Sequence, residues 1–131
     1  MEYRIFLAKA QENIAAAECE YDHGRYNASA NRAYYAMFHI AIAALLYYGF
    51  HPPGSRLEHK WVQASFNRLL IKRRKLYPAK LASSLMVALA LRNIADYEDK
   101  MLSKRKASEA LRTALEFIQR VSEKVEVGDD K

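Results

Sequence analysis

Residues 26–50 read YNASANRAYYAMFHIAIAALLYYGF. From Ala33 to Phe50 the run is apolar apart from His39. Its length approaches the roughly 20 residues of a membrane span. It nevertheless holds a mid-run histidine and four tyrosines, and the flanking segments each carry an apolar stripe that needs covering. The stretch is therefore expected to be the central, buried helix of a bundle.

The flanking sequence is helical in period. Helix one is expected over about Glu2 to Asp22, with Tyr3, Leu7, Ala10, Ile14, Ala17 and Tyr21 on one face. Gly24 breaks the pattern, and helix two runs from about Tyr26 to Tyr48. Gly49 and the His51-Pro52-Pro53-Gly54 stretch end it, since proline restricts both itself and the residue before it. Ser55 is placed to cap helix three, about Arg56 to Lys75, with Trp61, Phe66, Leu69 and Leu70 on its core side. Pro78 suits the first turn of helix four, which runs to about Asp99. Ser103 is placed to cap helix five, whose stripe is Ala107, Leu111, Ala114, Ile118, Val121 and Val125. Nothing alternates at period two for long enough to make a strand. The expectation is an all-α, antiparallel bundle of about five helices in one domain over residues 1–127, with a frayed tail from Gly128 to Lys131.

Composition bounds the function classes. The 131 residues suit one domain, and 51% hydrophobic against 27% charged excludes a disordered chain. Four Gly and three Pro are too few for a many-turned β-sandwich. Cys19 is the single cysteine, so no internal disulfide or cysteine zinc cluster can form. It reads as a small buried or half-buried helix residue. Glu2, Arg4, Lys9 and Glu12 interrupt any export signal, so a cytoplasmic protein without membrane association is expected. Residues 56–80 carry eight Lys or Arg against one acid, Glu58, so this stretch holds +7 while the whole chain is +6. Such a patch, with Arg68, Lys72, Arg73, Arg74 and Lys75 at its centre, attracts polyanions such as RNA or nucleotide phosphate, unless it is simply a solvated helix end.

Helix two is apolar nearly all round. One face reads Ala30, Tyr34, Met37, Ala41, Leu45 and Tyr48, an ordinary core stripe. The other reads Ala28, Arg32, Tyr35, Ala36, His39, Ala43 and Leu46. Arg32 and His39 share that face, roughly 10 Å apart along the axis. The face suits neither open water nor deep core, because an unpaired buried charge is costly. A subunit interface with a solvated cleft satisfies both constraints, and a two-fold axis would bring a second Arg32 and His39 nearby. Histidine can pass a proton near neutral pH, and arginine offers phosphate a planar fork of donors. Together they can cleave RNA without a metal, and no carboxylate cluster suggests a two-metal site. A structural pair is the competing reading.

The longer string Asn31-Arg32-Ala33-Tyr34-Tyr35-Ala36-Met37-Phe38-His39 resembles the central helix of the HEPN family, in its short stand-alone prokaryotic branch. Tyr26 in a short turn, His59 ahead of Phe66, and the Arg92-Asn93-Ile94-Ala95-Asp96-Tyr97 segment are similar as well. The likeness covers about residues 3–122. It implies a helical bundle that dimerises around this motif, without a cofactor or metal. It implies catalytic Arg32 and His39 from both subunits in an RNA endonuclease, the toxin of a toxin–antitoxin or defence pair. Asn31, Tyr35, His59, Arg92, Asp96 and Tyr97 would support the site. The alternative is a non-catalytic module that binds nucleotide or RNA and docks a minimal nucleotidyltransferase partner. One toxin branch carries a modified tyrosine two residues after the histidine. Ala41 stands there, so that regulation is not carried over.

Arg92 and Asp96, four apart, can pair on one helix face. Asp96 is expected to accept from Arg32 or to orient His39, and Arg92 to brace Asp96 or reach phosphate. A purely structural bridge between helices two and four competes with this reading. His59 either lines the same cleft or caps a loop. Trp61 and Tyr97 are expected to be core or cleft wall.

Overall fold

Two glycines bracket the central helix. In the computed structural model, which describes residues 2–126, α1 spans Tyr3–Asp22 and α2 spans Tyr26–Tyr47. The tail from Gly128 to Lys131 lies outside the described residues. Gly24 stands between the helices at φ +76° and Gly49 follows α2 at φ +89°. Both lie in the left-handed region that glycine enters without a Cβ penalty. After α2 the N–H of Gly49 reaches Leu46 O at 3.0 Å and that of Phe50 reaches Leu45 O at 2.9 Å, closing the last turn.

The central helix is buried by its neighbours within one protomer. Fifteen of the 22 residues of α2 are buried, packed against α1, α4 (Lys80–Tyr97) and α5 (Lys104–Glu126). This corrects the expected interface face. Ala36 and Ala43 are fully buried and Leu46 is 7% exposed, so these three belong to the core and not to an open surface. What α2 leaves half-buried is a short N-terminal strip, including Asn31, Arg32, Tyr35 and His39. Among the described residues no helix is long and apolar enough to cross a membrane.

The third helix departs from expectation. This helix, α3 (His59–Ser65), starts three residues late, and its α-helical geometry ends at Ser65. Ser55 is no cap, because Pro52 and Pro53 restrict the chain before it and residues 56–58 stay irregular. From Phe66 to Arg73 the chain is a π-helix, a wider turn that is rare at this length. Phe66, Leu69, Leu70 and Ile71 all reach the core from it. Lys75, at φ +53°, turns the chain out, and the N–H of Leu76 returns to Leu70 O at 2.8 Å. Helix α4 begins two residues after Pro78, whose carbonyl accepts from the N–H of Leu81 at 3.0 Å. The Ser103 cap is present: its hydroxyl accepts from the N–H of Lys106 at 3.1 Å. The loop between α4 and α5 is tied to the start of α2, since Asn27 Oδ1 accepts from the N–H of Leu102 at 2.8 Å. That tie fixes the end of α4, which carries Arg92 and Asp96, against α2.

Candidate functional site

Helix α2 supplies the centre of the site, and α1 and α4 supply its walls. Arg32 directs Nε and Nη2 at the side-chain oxygen of Asn31, at 2.9 and 2.5 Å. Its Nη1 donates to Asn13 Oδ1 on α1 at 2.9 Å. Both acceptors are neutral amides. Among the described residues no carboxylate lies within ion-pair distance of Arg32. Its charge is thus held in place without being cancelled, an arrangement suited to an incoming anion. Arg32 edges a cleft of about 450 Å³ shared with Asn27, Asn31, Glu20 and Asp96. The two acids there have their own cations: Glu20 holds Arg25 at 2.7 Å, and Asp96 pairs with Arg92 at 3.0 Å.

Asp96 does not reach Arg32 or His39 as expected. Its Oδ2 accepts from Asn31 Nδ2 at 2.8 Å, and Asn31 relays the contact to Arg32. An amide can both donate to a carboxylate and accept from a guanidinium, which is how Asn31 links the two. Arg92 braces Asp96 through Nε, an ion pair lacking the angle of a hydrogen bond. It also donates through Nη2 to the hydroxyl of Tyr35 at 2.9 Å. The Tyr35 ring lies under both guanidiniums, 5.2 Å from Arg32 and 5.4 Å from Arg92, where its negative face offsets two like charges.

The His39 ring lies 6.2 Å from that of Tyr35 and does not line the 450 Å³ cleft. Its Nδ1 contacts Asn13 Nδ2 at 3.0 Å. Asn13, which the helix-one stripe omitted, is therefore the residue that joins Arg32 to His39. Its one sequence signal was weak: an asparagine, a poor interior helix former, beside the buried Ile14. Burial, reinforced by Lys9 and Arg32, lowers the His39 pKa to about 4, so the imidazole is neutral at pH 7. This gives a pH prediction. The folded-state pKa lies below the unfolded value, so the folded state resists protonation. Stability attributable to His39 is complete above about pH 6.5 and is lost as pH falls toward 4. Because the ring is only half-buried, the loss is discounted to about 1–2 kcal/mol. Urea unfolding of wild type and His39→Gln at pH 7 and pH 4.5 checks it, and wild type should lose more between the two.

His59 opens α3 and packs its ring on Phe38 at 4.4 Å, with Nδ1 2.7 Å from the Tyr34 hydroxyl. Gln63 donates to the same hydroxyl at 3.2 Å. Burial and then Arg92 lower its pKa. His59 therefore lies against the α2 aromatics on the Arg92 side and does not contact Arg32. Tyr97 is 73% exposed and is neither core nor cleft wall; Arg92 lies 5.3 Å from its ring. Trp61 is half-buried, and Cys19 is exposed, because it falls on the outer side of α1. Arg68, Lys72, Arg73, Arg74 and Lys75 are all exposed. Of these, Arg74 stands at the far end of α2, 5.4 Å from the Tyr48 ring. That is nine residues beyond His39, about 14 Å along the axis. Among the described residues no group of three or more His, Cys, Asp or Glu side chains could hold a metal ion.

In a comparison with protein families, the family model described as HEPN domain matches residues 3–125. A comparison with curated proteins finds no match.

Proposed function

Because the chain belongs to the HEPN domain family, we propose that it is a metal-independent RNA endonuclease, the toxin of a toxin–antitoxin or defence pair acting in the cytoplasm. The observation that supports this reading is the Arg32 guanidinium, which edges the cleft, donates only to the neutral amides of Asn31 and Asn13, and is joined through Asn13 to a neutral His39. In the proposed reaction the 2′-hydroxyl attacks the adjacent phosphorus. His39 takes the hydroxyl proton, and Arg32 stabilises the charge that builds on the phosphorane oxygens. The bond to the 5′-oxygen breaks and that oxygen takes a proton from solvent, leaving a 2′,3′-cyclic phosphate and a 5′-hydroxyl, while the His39 imidazolium returns its proton to solvent.

The half-buried strip of Asn31, Arg32, Tyr35 and His39 would meet its counterpart in a second copy, so that two pairs flank one RNA strand. Arg68, Lys72, Arg73, Arg74 and Lys75 would hold the RNA backbone away from the scissile bond, and binding would weaken with salt. The test is cleavage of RNA by the purified protein in excess chelator. Cyclic-phosphate ends formed without metal are expected; an absolute magnesium requirement overturns the mechanism.

One observation favours a second reading. The imidazole nitrogen contacted by Asn13 is not open to a substrate. In a non-catalytic module the same strip would bind nucleotide or RNA, or dock a nucleotidyltransferase partner, giving saturable binding without turnover.

A further inference from the structure

Three groups converge on the single side-chain amide of Asn13, and their chemistry fixes its orientation. Arg32 can only donate, so Asn13 Oδ1 faces it at 2.9 Å. The carbonyl of Lys9 can only accept, so Asn13 Nδ2 faces that, at 3.0 Å. The same Nδ2 lies 3.0 Å from His39 Nδ1. A ring nitrogen that receives an N–H presents a lone pair, so the proton of the neutral imidazole sits on Nε2.

We propose that Asn13 is a positioning residue that holds His39 as its Nε2–H tautomer and makes release of Nε2 as a base conditional on release of Arg32. The lone pair of the resting imidazole is on Nδ1, covered by the amide. A proton placed there would set N–H against N–H. The amide must then turn over, giving up both the Lys9 carbonyl and Arg32, so that its oxygen receives Nδ1–H. With the amide turned, a neutral His39 carries its proton on Nδ1 and offers Nε2 as the base. The proton moves between ring nitrogens through solvent, with no net gain. An anion that draws Arg32 away removes one of the two bonds that oppose the turn, leaving only that to the Lys9 carbonyl, so anion binding and base exposure are linked in both directions.

The charged groups that act on the ring are Lys9 on α1 and Arg32 on α2, both cations. Phe6 on α1 and Tyr35 and Phe38 on α2 supply its aromatic neighbours. From α4, Arg92 reaches the hydroxyl of Tyr35 and not the imidazole. No acid among these offers Nδ1–H an acceptor, which leaves Asn13 in control of the tautomer.

The use of the switch in catalysis rests on the ribonuclease reading; the tautomer does not. Long-range proton–nitrogen NMR of the His39 ring in the full-length protein tests it, with His39→Gln assigning the signal. Wild type at pH 7 should show the Nε2–H tautomer. A wild-type Nδ1–H tautomer overturns the proposal whether or not any variant folds. In Asn13→Asp the side chain can only accept, so the proton should move to Nδ1 and the titration midpoint should rise by at least one pH unit. An unchanged tautomer and midpoint there overturn the proposal. If wild type cleaves RNA, the acid limb of kcat/KM should move up in Asn13→Asp with the midpoint. A lower rate with an unmoved limb reduces Asn13 to a structural brace and overturns the coupling. If wild type does not cleave RNA, the ribonuclease reading fails and the NMR result still decides the tautomer.

Discussion

Alanine at Arg32 is expected to slow RNA cleavage by about a thousandfold, in the upper part of the range for removal of an oxyanion-stabilising donor. The effect should be this large because the two other arginines paired at the cleft, Arg92 and Arg25, are already engaged. Arg92 is committed to Asp96 and Tyr35, and Arg25 to Glu20. Lysine at position 32 should recover only part of the rate. It restores the charge but not the planar fork that meets Asn31 and Asn13 together. Alanine at His39 should cost a comparable factor, about a hundredfold to ten-thousandfold, as expected for loss of a general base. The double variant should be little worse than either single one, since groups acting as one unit are non-additive. Single-turnover cleavage in chelator measures all four. Full activity in Arg32→Ala, after removal of contaminating nuclease, ends the proposed mechanism. If wild type binds RNA without turnover, and Arg32→Ala weakens that binding, the binding-module reading replaces it.

The bundle was largely readable from the chain because its signals are local. The Gly24 and Gly49 breaks, the Ser103 cap and the α5 stripe each depend on residues within a few positions of one another. The π-helix was not readable in that way. The run of Phe66, Leu69, Leu70 and Ile71 is apolar enough for an α-helix, and the shift in hydrogen-bond spacing leaves no mark on hydrophobic period. At the site, Arg32 and His39 were legible because they share one helix. Asn13 was not, since its role depends on how α1 is set against α2. Asp96 shows the same limit: the expectation was that it accepts from Arg32 or orients His39, and the packing puts Asn31 between it and Arg32. The expected interface face failed at Ala36, Ala43 and Leu46 for a related reason. An all-round apolar helix cannot say which of its sides its own chain will cover.

Phe66 carries the largest expected effect on stability. The side chain is fully buried at the junction where α3 gives way to the π-helix. Its ring stacks on Tyr77 at 5.5 Å with 16° between planes, and lies tilted against Phe117 of α5 at the same distance. Truncation to alanine removes apolar burial and leaves a void between three elements. The Tyr77 ring is itself buried, and its hydroxyl reaches Val121 O at 3.4 Å, so it is poorly placed to swing into the gap. The expected loss is about 3–5 kcal/mol, near the top of what single substitutions cost. For a domain of this size that lowers Tm by about 10–20 °C. Phe66→Leu should lose less, because it keeps much of the volume. Chemical unfolding of the three proteins measures the loss. A Phe66→Ala variant within about 1 kcal/mol of wild type would show that the void closes and that the π-helix adapts around it. Phe66 matches the phenylalanine downstream of the histidine in the HEPN-like pattern, so the outcome also separates two roles for it. If it acts only through packing, Phe66→Ala kept well below its Tm should cleave RNA as fast per folded molecule as wild type. A slower rate in the folded variant would mean that the junction also sets the position of His59 and, through Tyr34 and Tyr35, of the strip that carries Arg32.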